Sequence, residues 1–241
     1  MTAPMTQRLT PDATPDATPH LTPPAPIPRY QLHHYPASLI ETRALAGGRV
    51  LTLRPILPQD DELLALLVRE LAPQARRNRF HGAVKLAPAH LRQMSNVDYQ
   101  RQMAVVVTTQ IEGAERLIAD ARYCVAPDGR SAEFALVVAE GWQRLGVGAW
   151  VMNTLQQAAT RAGLEWLQGD VLQGNLPMLG LMQRCGFALC PDGEDDAVVK
   201  VQRRLGVRGA ATPGARHGLQ SWLHSSWLKR AWPGSAFTTA T

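Results

Sequence analysis

The 241-residue chain has only three cysteines, Cys124, Cys185 and Cys190, with no CxxC pair and no histidine pair at ligand spacing near them. A disulfide framework and a zinc site are excluded, and the thiols read as small buried or strand-edge side chains. Nowhere do eighteen apolar residues follow one another, and no basic n-region runs into an apolar stretch at the start. A soluble cytoplasmic protein is therefore expected. Acidic residues are missing from the end of the chain: Lys200 to Thr241 contains seven Lys or Arg and no Asp or Glu. The formal net charge of +5 belongs to that end, because the residues before it carry eighteen basic and twenty acidic side chains. No broad cationic face is demanded of the fold, so nucleic acid is not an expected partner.

The composition divides the chain in three. Residues 1–34 are dominated by Pro, Thr and Ala, with Pro-Asp-Ala-Thr written twice in succession, and too little apolar surface to offset ordering entropy. They read as a disordered or polyproline leader. Residues 35–204 are long enough to bury one core. Residues 205–241 form a basic tail in which Leu219, Trp222, Leu223 and Trp227 recur at helical spacing, with Lys229, Arg230 and Trp232 beyond. A short helix on its own domain is the first reading of that tail, and adsorption to an anionic membrane or a partner groove the second.

Within the central part, Val50–Arg54 reads as a strand. Pro58 with Asp60, Asp61 and Glu62 opens a helix that stacks Leu63, Leu64, Leu66, Leu67 and Leu71. A short helix from Pro88 to about Met94 precedes a strand over Met103–Thr109. Strands over Leu117–Val125 and Ser131–Ala139 are joined by Pro127-Asp128-Gly129, which carries hairpin chemistry. Val151, Leu155, Ala158, Ala159 and Ala162 recur at helical spacing before Gly163 stops the run, a strand covers Glu165–Leu172, and a helix from Asn175 to Gly186 leads into a strand at Phe187. Antiparallel strands followed by a β-α-β-α-β half give an α+β fold with a mixed sheet, not a doubly wound one. Arg76, Arg77 and Arg79 form a cationic cluster that reads as a solvated helix face.

The segment Trp142-Gln143-Arg144-Leu145-Gly146-Val147-Gly148 lies between the apolar strand Phe134–Val138 and a helix. Glycines let a ligand approach the backbone, and the first-turn N–H groups of a helix attract anions. No Lys follows Gly148, which excludes a P-loop, and Val151 stands where a dinucleotide fingerprint needs a third Gly or Ala. Alone, the motif reads first as a glycine-bearing strand-to-helix turn, which is commoner than a ligand loop.

The ordered set of strand, Q-R-x-G-x-G loop, helix, strand and N-x-P-M…R-x-G-F (Asn175 to Phe187) resembles the GCN5-related N-acetyltransferase (GNAT) superfamily. It is closest to the acetyltransferase domain of bacterial Pat-type protein lysine acetyltransferases, with support from Tyr35-Pro36, Leu53-Arg54-Pro55-Ile56, Asn96-Val97-Asp98-Tyr99 and Ala132-Glu133-Phe134-Ala135. The resemblance implies a mixed sheet, splayed at its centre and flanked by helices, with acetyl-CoA wedged in the split and no metal. Leu136, Val137 and Val138 would line the pantetheine, with backbone groups of Leu136 and Val138 pairing with its amides. Gln143, Arg144, Leu145, Gly146, Val147, Gly148 and Ala149 would hold the pyrophosphate, and Asn175 would contact the pantetheine arm.

Acetyl transfer needs a neutral amine, whereas a lysine ammonium has a pKa of about 10.4. Glu133, flanked by Ala132, Phe134 and Ala135, matches the catalytic glutamate of these enzymes by resemblance, and apolar neighbours would raise its pKa. From the strand pattern alone it reads first as a solvated charge on the strand face, and the resemblance turns that reading towards catalysis. Asp98 is a second carboxylate, with a turn role as the simpler reading. Met182 stands where many superfamily members carry a proton-donating Tyr, a departure that Pat-type enzymes share. His33, His34, His81 and His90 read as non-catalytic. The expected activity is direct N-acetylation, with a protein lysine as acceptor, a small amine as the alternative, and a non-catalytic acyl-CoA sensor as the rival class.

Overall fold

The computed structural model describes residues 34–80, 86–191 and 197–206. The leader lies outside them up to residue 33, as does the basic tail from residue 207 onward. In chain order the elements are β1 (Glu41–Ala44), β2 (Val50–Pro55), α1 (Asp61–Glu70), α2 (Pro73–Phe80), α3 (Pro88–Ser95), β3 (Gln102–Ile111) and β4 (Ala114–Val125). There follow β5 (Ser131–Val138), α4 (Val147–Arg161), β6 (Trp166–Leu172), α5 (Leu176–Arg184), β7 (Ala188–Pro191) and β8 (Val198–Arg204). The eight strands form one sheet in the order β1-β2-β3-β4-β5-β6-β8-β7. Every pairing is antiparallel except β5–β6, so the sheet is mixed as expected.

Alternation along the strands loads both faces with apolar side chains. Val105, Val107, Ala121, Tyr123, Phe134 and Leu136 pack under α4 and α5, with Trp150, Val151 and Leu155 from α4. Ala104, Val106, Leu117 and Val137 pack under α1–α3, with Leu64, Leu67, Phe80 and Met94. Turn chemistry fixes the connections. Asp128 Oδ1 accepts the N–H groups of Arg130 and Ser131, and Gly129 takes φ +67°. Gly163 stops α4 at φ +77°.

Three features were not legible in the pattern. β1 is exposed at all four positions and has no apolar period to betray it. It is held from the side: Trp150 Nε1 donates to Glu41 Oε2 at 2.8 Å, and the Arg43 guanidinium lies 4.3 Å from the Trp150 ring centroid. The Trp150 hydrogen bond also holds the Glu41 carboxyl below its usual range. β8 inserts between β6 and β7, which no local signal encodes. Arg76 caps the end of α1, donating to the carbonyls of Val68 and Arg69 at 3.1 Å, so it is not part of a solvated face.

Candidate active site

The ladder between β5 and β6 lasts for only three register pairs, Ser131 with Trp166, Ala132 with Leu167 and Glu133 with Gln168. Beyond them the strands part. A glycine stands at the point of divergence: a Cβ on Gly169 would lie 2.9 Å from the Phe134 ring and 3.1 Å from the Phe134 carbonyl oxygen. Gly169→Ala is therefore expected to displace Phe134, destabilising the fold by about 1–3 kcal/mol and shifting the opening angle. A denaturant titration read alongside acetyl-CoA affinity checks both.

Past the split, the edge of β5 faces a cleft of about 860 Å³. The Ala139 N–H donates to Ile118 O at 2.8 Å, which sets the phase of the β4–β5 ladder. Odd-numbered residues of β5 turn their peptide groups to β4, and Phe134, Leu136 and Val138 turn theirs to the cleft. The Val138 carbonyl accepts from Gln143 Nε2 at 3.0 Å, so Gln143 ties the following loop to the strand end.

That loop makes two left-handed residues. Arg144 has φ +60° and Gly146, which precedes the first turn of α4, φ +82°. A non-glycine residue in this region is uncommon and costs energy, and such strain concentrates at ligand sites. The first N–H of α4 to find an intrahelical carbonyl is that of Trp150, on Gly146 O at 3.0 Å. The N–H groups of Val147, Gly148 and Ala149 are the helix's first-turn donors, gathered at its positive end. Arg144, Gly146, Gly148 and Ala149 line the cleft. Leu145 is exposed, the Val147 side chain is buried in the core, and neither residue lines the cleft.

Glu133 lines the same cleft. It shares a strand face with Val137, which packs under α1–α3, so its side chain lies on the side opposite α4. Asp170 of β6 is on that face as well, because Leu167 and Val171 alternate with it and pack under α4. Asp170 also lines the cleft and was missed in the sequence, although the alternation of β6 marks it.

The opposite wall is α2, through Gln74, Asn78 and Arg79. Arg79 is not on a solvated face. It is 6% exposed and donates to Asp120 Oδ2 at 3.4 Å. Asp120 in turn takes a two-pronged contact from Arg122, at 3.0 and 2.6 Å, and Arg122 Nη1 donates to Met94 O at 2.9 Å. All three side chains are buried. Burial, with Arg122 adding to it, pulls the Arg79 pKa down to about 10, which still leaves it charged at neutral pH. Charged residues at alternate positions of an otherwise apolar strand, Asp120 and Arg122, were the available signal.

Residues 67–187 match the model of the acetyltransferase (GNAT) family. The chain belongs to this family. It is 31% identical over 157 residues to acetyltransferase PA5475 of Pseudomonas aeruginosa, covering 65% of this chain and 84% of that one. It is 31% identical over 140 residues to acetyltransferase Pat of Mycolicibacterium smegmatis, covering 58% of this chain and 41% of Pat, so it spans less than half of that relative. The GNAT domain of S. lividans PAT has the same fold, with a TM-score of 0.63 at 22% identity over 71% of this chain and 99% of that domain. GNAT membership and the named acetyltransferase relatives carry N-acetyltransferase activity, and GNAT enzymes take the acetyl group from acetyl-CoA.

Other sequence expectations sort cleanly within this GNAT frame. Asp98 is a turn residue: its Oδ1 accepts the N–H groups of Gln100, Arg101 and Gln102 at 2.9–3.0 Å. Met182 is fully buried and does not line the cleft, whereas its neighbour Leu181 does. No tyrosine lines the cleft among the described residues. Tyr35 and Tyr99 instead donate to the carbonyls of Pro55 and Ile56, and burial raises both phenol pKa values. Asn175 caps α5 through Met178 N–H at 3.4 Å and lines the cleft. Gly148 has a second duty: a Cβ there would meet Leu181 Cδ2 at 2.9 Å, so the glycine also lets α4 and α5 approach. Among the described residues no group of three or more His, Cys, Asp or Glu could hold a metal ion, and no helix is long and apolar enough to cross a membrane.

Proposed function

We propose that the protein transfers the acetyl group of acetyl-CoA directly to a lysine side chain of a protein, with Glu133 as general base. The observation that carries this reading is the convergence of three features on one cleft. These are the outward peptide groups of Leu136 and Val138, the first-turn donors of α4, and a carboxylate on the same strand. In it, the β5 edge holds the pantetheine arm as an added strand would be held, and the N–H groups of residues 147–149, with Arg144, hold the pyrophosphate. Asn175, its oxygen committed to the cap, has its amide NH₂ for the arm.

Acetyl-CoA supplies a thioester whose carbonyl carbon is the electrophile. Glu133 takes the proton from the acceptor amine, so that the amine nitrogen can form the new C–N bond as the C–S bond breaks and the thiolate leaves. A thiol pKa of about 8.5 makes that thiolate a fair leaving group without an acid, consistent with a cleft that no tyrosine lines among the described residues. The lysine acceptor rests on the Pat-type sequence resemblance.

Incubating the protein with labelled acetyl-CoA and a lysate of its host is expected to put label into protein, on lysine. Label confined to small amines would overturn the lysine acceptor, and cofactor binding with no transfer would overturn catalysis. Arg144→Ala is expected to weaken acetyl-CoA binding about tenfold, through loss of one charge-assisted phosphate contact, with little change in kcat. Calorimetry beside steady-state kinetics checks it.

A further inference from the structure

The two sides of the split are unlike. On one, α4 and α5 close together over the strands, brought into contact where Leu181 meets Gly148. On the other, facing α2, lies Glu133, so an acceptor amine that reaches the base comes in between the strands and α2. Along that route the cleft-lining residues of β5 beyond Glu133 are Ala135 and Val137, and the one of β6 is Asp170. Among the described residues, Asp170 is thus the one charge that the strands add to Glu133 on this face. Of the other charged groups that line the cleft near it, Arg79 is engaged with Asp120, and Glu140 lies at the loop end.

Asp170 follows Gly169, the residue at the point of divergence, and comes two residues after Gln168, the last partner of β5. The peptide groups of Leu136 and Val138, proposed to hold the pantetheine, come three and five residues after Glu133 on their own strand. Asp170 therefore stands nearer the closed end of the split, where the base is, than those contacts do. β6 stays paired with β8 from Trp166 to Leu172, so the backbone under Asp170 is fixed although its β5 side is open. The Asp170 side chain is exposed, and among the described residues it makes no ion pair, not even with Lys200, its register partner on β8.

A lysine arrives as an ammonium, with a pKa of about 10.4, and taking that charge out of water is costly unless an anion meets it. Glu133 cannot serve as both anchor and base, because taking the proton neutralises it. We propose that Asp170 is the acceptor-positioning residue, whose carboxylate receives the ammonium of the incoming lysine and presents it to Glu133, within the function proposed above, on which this inference rests. The ammonium donates one N–H to Asp170 and another to Glu133, which takes that proton. The neutral nitrogen then forms the C–N bond as the C–S bond breaks. Its surplus proton passes to the leaving thiolate, and Glu133 returns its own to solvent. The amide product is neutral, so Asp170 has no charge left to hold and the product is released.

The test uses the full chain with CoA in place of acetyl-CoA, so that nothing is transferred. Calorimetry compares a lysine peptide with the same peptide carrying norleucine, which keeps the alkyl chain and lacks the ammonium. The wild type is expected to bind the lysine peptide more than about tenfold tighter, and Asp170→Asn to reduce that preference by about tenfold, with Asp170→Glu restoring part of it. In steady-state assays with acetyl-CoA, Asp170→Asn is expected to raise the acceptor KM about tenfold while kcat and the acetyl-CoA KM change less than about threefold. A purely structural role would not move the lysine-to-norleucine ratio. Equal binding of the two peptides by the wild type, or a preference that survives Asp170→Asn, overturns the proposal. So does a collapse of kcat at unchanged acceptor KM, which would make Asp170 the base. A wild type that acetylates no lysine peptide fails the lysine reading itself and takes this inference with it, whereas an unchanged rate in Glu133→Gln fails the base assignment alone.

Discussion

Glu133→Gln is expected to lower kcat about 10²–10⁴-fold and to change acetyl-CoA affinity less than about threefold. The substitution preserves size and one acceptor oxygen but removes the ability to take a proton. The cofactor contacts proposed above come from residues beyond it, the peptide groups of Leu136 and Val138 and the first turn of α4, so binding is insulated from the change. The side chain sits where β5 is still paired on both sides, with Cys124 and with Gln168, so the backbone has little freedom to respond. Single-turnover rates at several pH values, with calorimetric binding of acetyl-CoA, read both halves. An unchanged rate would return Glu133 to the role of a strand-surface charge and move the search for a base to Asp170, the other carboxylate on that face of the split.

The parts of this site that were legible in the sequence are those written in local chemistry. The strand-to-helix turn from Gln143 to Gly148 announces itself because left-handed backbone and close approach demand glycine. Asn175 does so because a cap, a first-turn proline and a terminal Gly186 occur in the order a short helix needs. The α2 wall was not legible. Arg76, Arg77 and Arg79 are neighbours in sequence, yet Arg76 folds back onto the α1 carbonyls while Arg79 turns inward to Asp120, forty-one residues away. Nothing local separates a buried arginine from a solvated one, since its burial depends on a partner supplied by a distant strand. β1 failed for the converse reason: with no buried side chain, it is fixed by Trp150 reaching across from α4. The double duty of Gly148 was also hidden, because its packing partner Leu181 lies on a helix that the turn itself does not specify.

The same burial makes Asp120 the residue whose loss should hurt the fold most. Asp120→Asn keeps the shape but leaves Arg79 and Arg122, both buried, with no carboxylate between them. Breaking a buried ion pair on one side costs about 3–5 kcal/mol, which for a domain of this size lowers Tm by about 10 °C or more. By contrast, Glu41→Gln breaks the ion pair with Arg43, whose partners are both 49% exposed, and the ion pair itself should contribute about 0–1 kcal/mol. The decisive measurement is the double variant. Adding Arg79→Gln to Asp120→Asn removes one of the two cations that face the lost carboxylate, so the pair of substitutions should cost less than the sum of the singles. Strict additivity across that cycle would mean that Arg79 and Asp120 are not electrostatically coupled. A double variant less stable than the sum would mean that Arg79 stabilises the fold chiefly by packing rather than through its charge.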